Sequence, residues 1–193
     1  MTVDRGGSDN EVVIVGASLT GANAATALRE GGFDGPVTMV GEETALPYER
    51  PPLSKGFLQG KVDEEETLVH PAEWYDANDV NLLLGTKAVR VDPARHSVAL
   101  SDGTQLEYRH LLLATGSSPR RIPVEGAELD GVHYLRRIED SKSLKSAIAD
   151  AESAVVVGGG WIGLETAAAA REAGLNVTVV EPAEQPLLAV LGP

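Results

Sequence analysis

Two glycine clusters carry the chemistry legible in this sequence. The first runs Gly16-Ala17-Ser18-Leu19-Thr20-Gly21 and the second Gly158-Gly159-Gly160-Trp161-Ile162-Gly163. Backbone packed this closely around glycine can approach a pyrophosphate. The first glycine allows a tight turn, the second a close backbone approach, and the third lets a helix pack on a strand. Each cluster is followed by an acid at a spacing suited to a ribose hydroxyl. Glu42 lies 21 residues beyond Gly21 and Glu181 lies 18 beyond Gly163, against roughly 20 for such an acid. Two dinucleotides on one chain imply that electrons pass from one to the other.

The flanking residues supply the elements that must hold these groups. The β-branched runs Val12-Val13-Ile14-Val15 and Val155-Val156-Val157 read as strands, and Ala22 to Gly31 and Leu164 to Ala173 as helices. Val37 to Val40 and Asn176 to Val180 read as the second strand of each copy. Each helix would offer unpaired N–H groups and the positive end of its dipole to phosphate. Two ordinary βαβ units with surface acids would share the pattern, but they would not require it twice over. Ser18 stands where the second glycine belongs in the first copy. It adds a Cβ there, and a hydroxyl able to bond a phosphate oxygen.

Between the copies, the prolines of Leu46 to Lys55 make an extended, rigid stretch in which Ser54 reads as the N-cap of a short helix. Asp63 to Glu66 reads as a solvated acidic face. Glu73 to Asn78 reads as a helical turn, Asn81 to Leu84 as a strand, and Lys87 to Val91, His96 to Leu100 and Gln105 to Tyr108 as a small antiparallel meander. Leu111 to Ala114 reads as a buried strand ending in Thr115-Gly116. Ser117-Ser118-Pro119 and Pro123 then mark a boundary, so residues 10–116 and 117–193 are expected to form two domains. A helix over Ile138 to Ala149 leads into the second copy.

Composition narrows the function classes. The formal charge of −13 over 193 residues excludes a nucleic-acid partner, which needs a basic footprint. Arg120-Arg121 and Arg136-Arg137 are the local basic pairs through which an acidic protein could dock. No apolar run approaches the ~18 residues of a membrane span, and Met1 to Asn10 is unlike a signal segment, so a cytoplasmic location is expected. The absence of cysteine removes a redox-active cysteine pair and cysteine-ligated metal from this chain. The four histidines are scattered, and no metal site is expected.

The order of GASLTG, LPYERPPLSK, LLLATGSSPR, YLRRIED and VVVGGGWIGLETA resembles the FAD-dependent NADH:ferredoxin reductases that serve oxygenases, over Glu11 to Pro193. The resemblance implies an α/β, FAD/NAD(P)-binding Rossmann-like fold with two dinucleotide-binding βαβ units and a small antiparallel meander. It implies the N-terminal part of a three-domain flavoprotein, in which NADH reduces FAD and single electrons leave to a ferredoxin-type 2Fe–2S protein. By similarity, Gly16 to Gly21 cradle the FAD pyrophosphate and Glu42 holds its ribose. Arg50 and Lys55 lie against the cofactor, the backbone at Ala88 meets the adenine, and Ala114, Thr115, Gly116 and Arg136 are further FAD contacts. Gly158, Gly160, Ile162 and Gly163 bind NADH, with Glu181 on its ribose. Glu165 matches an acid beside Lys55 and the nicotinamide, and these two are the expected catalytic pair. A cation near a flavin stabilises the charge that develops on reduction, and a buried one wants a counter-charge.

The later strands and C-terminal domain of such reductases have no counterpart here, so a fragment of a longer reductase is expected. Its exposed sheet edge would favour self-association. Two other readings stay open: another NADH-dependent flavin oxidoreductase of the same superfamily, or a non-catalytic dinucleotide-binding module.

Overall fold

A computed structural model describes residues 10–192. The N-terminal stretch read above as unlike a signal segment lies, up to residue 9, outside them. The chain divides into two compact units. One comprises residues up to Glu49 with Leu68–Ser117, the other Arg50–Thr67 with residues from Ser118 onward.

The first unit is built on a four-stranded parallel sheet. Strands β1 (Val12–Val15), β2 (Val37–Val40), β3 (Val80–Leu83) and β7 (His110–Leu113) lie in the order β3-β2-β1-β7. Helix α1 (Leu19–Glu30) crosses from β1 to β2, and α2 (Ala72–Ala77) precedes β3. A strand buried on both faces has no polar side to show, which is why β1 and β2 read as continuous apolar runs. Every residue of both is buried. Alternation then sends Val12 and Ile14 into a cluster with Ala25, Met39 and Tyr75, while Val13 and Val15 join Val98 and Leu100. The second cluster belongs to the meander expected from sequence, β4 (Ala88–Asp92), β5 (Ser97–Leu100) and β6 (Gln105–Glu107), which is antiparallel in that order. Helices, parallel sheet and meander make three layers with β1 at the centre.

Two expectations are corrected here. The strand after the meander is not buried: Leu113 is 59% exposed and Leu112 36%. Among the described residues it has β1 on one side and no strand on the other, so its side chains meet a partner only along one edge. Helix α1 also begins at Leu19 rather than Ala22, because Ser18 takes the extended N-cap backbone (φ −144°, ψ −168°) and the fingerprint itself forms the first turn.

The second unit holds α3 (Ile138–Ala149), β8 (Ser153–Val157), α4 (Trp161–Glu172), β9 (Asn176–Val180) and the short α5 (Leu188–Leu191). Strands β8 and β9 are parallel, with Val155 opposite Thr178 and Val157 opposite Val180. Helix α4 packs on this pair. It also starts three residues earlier than its apolar pattern suggests, for the reason given for α1.

The segment Arg50–Thr67 is pinned within the second unit. Pro51–Ser54 form a 3-10 turn with both prolines at its start, where their missing N–H groups cost nothing. The Ser141 hydroxyl, fully buried on α3, donates to the Leu53 carbonyl at 2.7 Å, and the Arg50 guanidinium donates to the Arg136 carbonyl at 2.6 Å. Ser54 therefore closes this turn rather than capping a helix, because Arg50 occupies the N-cap position. The acidic stretch after it is not solely a solvated face, since Glu64 pairs with Lys142 at 2.8 Å.

Candidate functional site

The two glycine turns are the same object built twice. Gly16 and Gly158 both hold positive φ (+125° and +107°), a backbone region that penalises any Cβ. Each donates its N–H to the last residue of the neighbouring strand, Gly16 to the Val40 carbonyl and Gly158 to the Val180 carbonyl, both at 2.8 Å. At Gly21 a Cβ would lie 2.1 Å from the Gly16 carbonyl oxygen, and at Gly163 the same distance from that of Gly158. First and third glycines are thus demanded by the turn itself.

The second position differs. Gly160 is extended (φ −79°, ψ 179°), and a Cβ built there meets nothing within 4 Å. Nothing among the described residues requires a glycine at that point, which fits a backbone kept bare for something that approaches from outside. Ser18 shares the extended geometry, so its Cβ is accommodated without strain, and its hydroxyl makes no capping bond. Neither α1 nor α4 carries an acid in its own first turn, which leaves the positive end of each helix dipole unneutralised from within the helix. These turns fit two pyrophosphates.

Gly160→Ala separates fold from ligand. We expect a stability loss under about 1 kcal/mol, the usual scale for an N-cap change, together with clearly weaker NADH binding. Thermal unfolding and a fluorescence titration on the same preparation check both halves.

In the first unit, the structure brings Ala114 and Thr115 against the Gly16 turn. A Cβ on Gly16 would lie 2.1 Å from the Ala114 carbonyl oxygen and 3.2 Å from the Thr115 nitrogen. Gly116 follows with φ +67°. Glu42 stands just past β2, and its carboxylate lies 3.6 Å from the Lys87 ammonium, next to Ala88 at the start of β4. Ala88 sits half-buried beside a bulge in the meander, its side chain packed on the cluster of Val13, Val15, Val98 and Leu100.

In the second unit, an open cleft of about 270 Å³ is lined by Arg50, Ser54, Lys55, Arg136, Trp161 and Glu165, with Ile162 at its side. Trp161 and Ile162, which open α4, are about half exposed. The Lys55 ammonium lies 3.1 Å from one oxygen of Glu165, and the Ser54 hydroxyl donates to the other at 2.5 Å. Burial pushes the Glu165 carboxyl up, but the Ser54 hydroxyl, together with the hydrogen bond and charge of Lys55, holds it below its ordinary value. Lys55 itself is half exposed. Arg136 is joined to the cleft's edge through its carbonyl, and its own N–H donates to Asp140 at 2.9 Å.

Glu181 closes the second turn. Its carboxylate accepts the Gly159 N–H at 2.6 Å and the Ala183 N–H at 3.0 Å. The bonds from Ala183 and Gly159 hold its pKa below the ordinary value.

The role of Ser54 toward Glu165 was invisible in the sequence. The two residues are 111 positions apart, and the only local signal at Ser54, a serine after two prolines, pointed to a helix cap.

Paired strand–glycine–helix turns, each with an acid beyond the next strand, are the arrangement of dinucleotide-binding folds. Residues 10–193 match the pyridine nucleotide-disulphide oxidoreductase family, and the chain belongs to it. The chain contains no cysteine to form the disulphide of that name. It is 47% identical over 180 residues to rhodocoxin reductase of Rhodococcus erythropolis, covering 93% of this chain and 42% of that one. To rubredoxin-NAD(+) reductase of Pseudomonas putida it is 44% identical, covering 94% of this chain and 47% of that one. The reductase of a covalent putidaredoxin reductase–putidaredoxin complex shares the fold with a TM-score of 0.92 at 38% identity, over 97% of this chain and 46% of that one. The chain therefore spans just under half the length of the relatives it matches.

Proposed function

We propose that this chain is part of an FAD-dependent NADH:ferredoxin reductase, with FAD on the first unit and NADH on the second. The observation that carries this is the duplicated turn: two glycine cradles, one closed by an acid that two backbone N–H groups hold charged. The relatives' names, reductases of rhodocoxin and rubredoxin, support the electron route. Bound FAD would accept two electrons at once and release them singly, to a ferredoxin-type iron–sulfur protein. A cytoplasmic location belongs to the same reading, since NADH is an intracellular metabolite.

The residues divide the work. Gly16 to Gly21 and Gly158 to Gly163 bind pyrophosphate through backbone N–H groups, and Glu42 and Glu181 accept bonds from ribose hydroxyls. Lys55 supplies the positive charge of the second unit's cleft. Glu165 keeps that cation in place, and Trp161 and Ile162 narrow the cleft against water.

An absorbance spectrum tests the reading. The purified full-length reductase should show a bound flavin that NADH bleaches, and heat denaturation should leave the flavin in solution, because this sequence offers no attachment motif. Lys55→Met should retain flavin but slow its reduction by NADH about tenfold or more, the scale of one lost electrostatic contact. A chain that takes up no flavin and binds no NADH would overturn the proposal.

A further inference from the structure

We propose that Ser54 is the positioning residue of the nicotinamide cleft, fixing the Glu165 carboxylate by a hydrogen bond so that Lys55 and the reduced nicotinamide share one defined acceptor. The inference rests on the reading of the second unit as the NADH site.

The geometry is specific. Ser54 is only 5% exposed although it lines the cleft, which leaves its hydroxyl little room to turn to water. It has one proton, and two acceptors are in reach. The Glu165 oxygen at 2.5 Å takes it in preference to the Pro51 carbonyl at 3.5 Å. Lys55 binds the opposite oxygen at 3.1 Å, so the carboxylate is held at both ends. Yet the two holders differ. The Lys55 side chain is about half exposed on a four-carbon stem, a loose and screened restraint. Ser54 sits at the end of a turn whose backbone is pinned by Ser141 through the Leu53 carbonyl and by Arg50 through the Arg136 carbonyl. A short side chain on a pinned backbone orients its partner; a long exposed one only neutralises it. Orientation thus falls to Ser54 and charge to Lys55.

Glutamate-selective 13C labelling of the whole chain lets the Glu165 carboxyl carbon be followed by NMR as pH falls, with Glu165→Gln to assign the signal. In Ser54→Ala the midpoint should move up, because a bond favouring the charged form is lost, and in Ser54→Thr it should return toward wild type. A circular dichroism spectrum confirms the fold is kept. If Ser54→Ala does not fold, Ser54→Cys, of similar size but a weak donor, should show the same upward shift. An unmoved midpoint in the folded variant overturns the proposal. A second arm measures NADH affinity by fluorescence. Ser54→Ala should weaken it about threefold to tenfold, the scale of one hydrogen bond, and Ser54→Thr should restore it. A moved midpoint with unchanged affinity would leave the hydrogen bond but remove its positioning role. Failure of the wild-type chain to bind NADH would instead sink the cofactor reading, while the NMR arm still judges the Ser54 bond.

Discussion

Gly16→Ala is expected to destabilise the first unit by about 2–6 kcal/mol, the sum of a strained positive φ and an overpacked contact. With that loss FAD binding should disappear. Two independent observations set the size. The residue sits at φ +125°, and a Cβ would stand 2.1 Å from the Ala114 carbonyl oxygen, backbone that cannot swing aside. That carbonyl belongs to a segment hydrogen-bonded to β1, the Ala114 N–H donating to Val15 at 2.8 Å. Relief would require the central strand to move. The equivalent Gly158→Ala shares the positive φ but meets nothing within 4 Å, so its cost should be strain alone, roughly 1–3 kcal/mol. Denaturant unfolding of both variants measures the difference. Equal losses would show that the Ala114 contact relaxes without penalty.

The second large effect concerns which nicotinamide cofactor is used. Glu181→Ala should lower the preference for NADH over NADPH at least about tenfold, because a carboxylate facing a 2′-phosphate costs several kcal/mol in a partly desolvated site. No Lys or Arg follows in Pro182-Ala183-Glu184-Gln185 to attract that phosphate in its place. The ratio of the two dissociation constants, taken before and after the substitution, is the measurement. An unchanged ratio would remove Glu181 from the ribose. The acid should also confer a pH dependence. Bonds from the Ala183 and Gly159 N–H groups lower its pKa in the folded chain. A group of this kind contributes fully above its unfolded value, about 4.3 for glutamate, and that contribution is lost as pH falls through the folded pKa. NADH affinity should therefore hold while Glu181 stays ionised and fall only in solution acid enough to protonate it.

Much of this was legible without coordinates, because it depends on neighbours in the chain. A β-branched run followed by glycine and then by alanine-rich helix specifies strand, turn and helix within some twenty residues. Strands β2 and β9 and helix α3 appear with the limits their residue patterns suggest. The meander likewise announced itself through turns at Asp92-Pro93 and Asp102-Gly103. Helices α1 and α4 nevertheless start earlier than their alanine-rich stretches, at Leu19 and Trp161, because the glycine clusters are more than turns. They supply the first helical turn as well.

What the sequence could not disclose were partners brought together by packing. Leu111 to Leu113 are as apolar as a core strand, and nothing local reveals that β7 has a neighbour on one side only. Nor does anything near Ser54 indicate a carboxylate 111 residues away. Backbone conformation follows from short-range sterics and propensity, which a sequence displays directly. Which face is covered, and which hydroxyl meets which acid, depends on how separate elements dock. That was decided by the buried core and the pinned turn at Pro51–Ser54, and only the tertiary structure shows it.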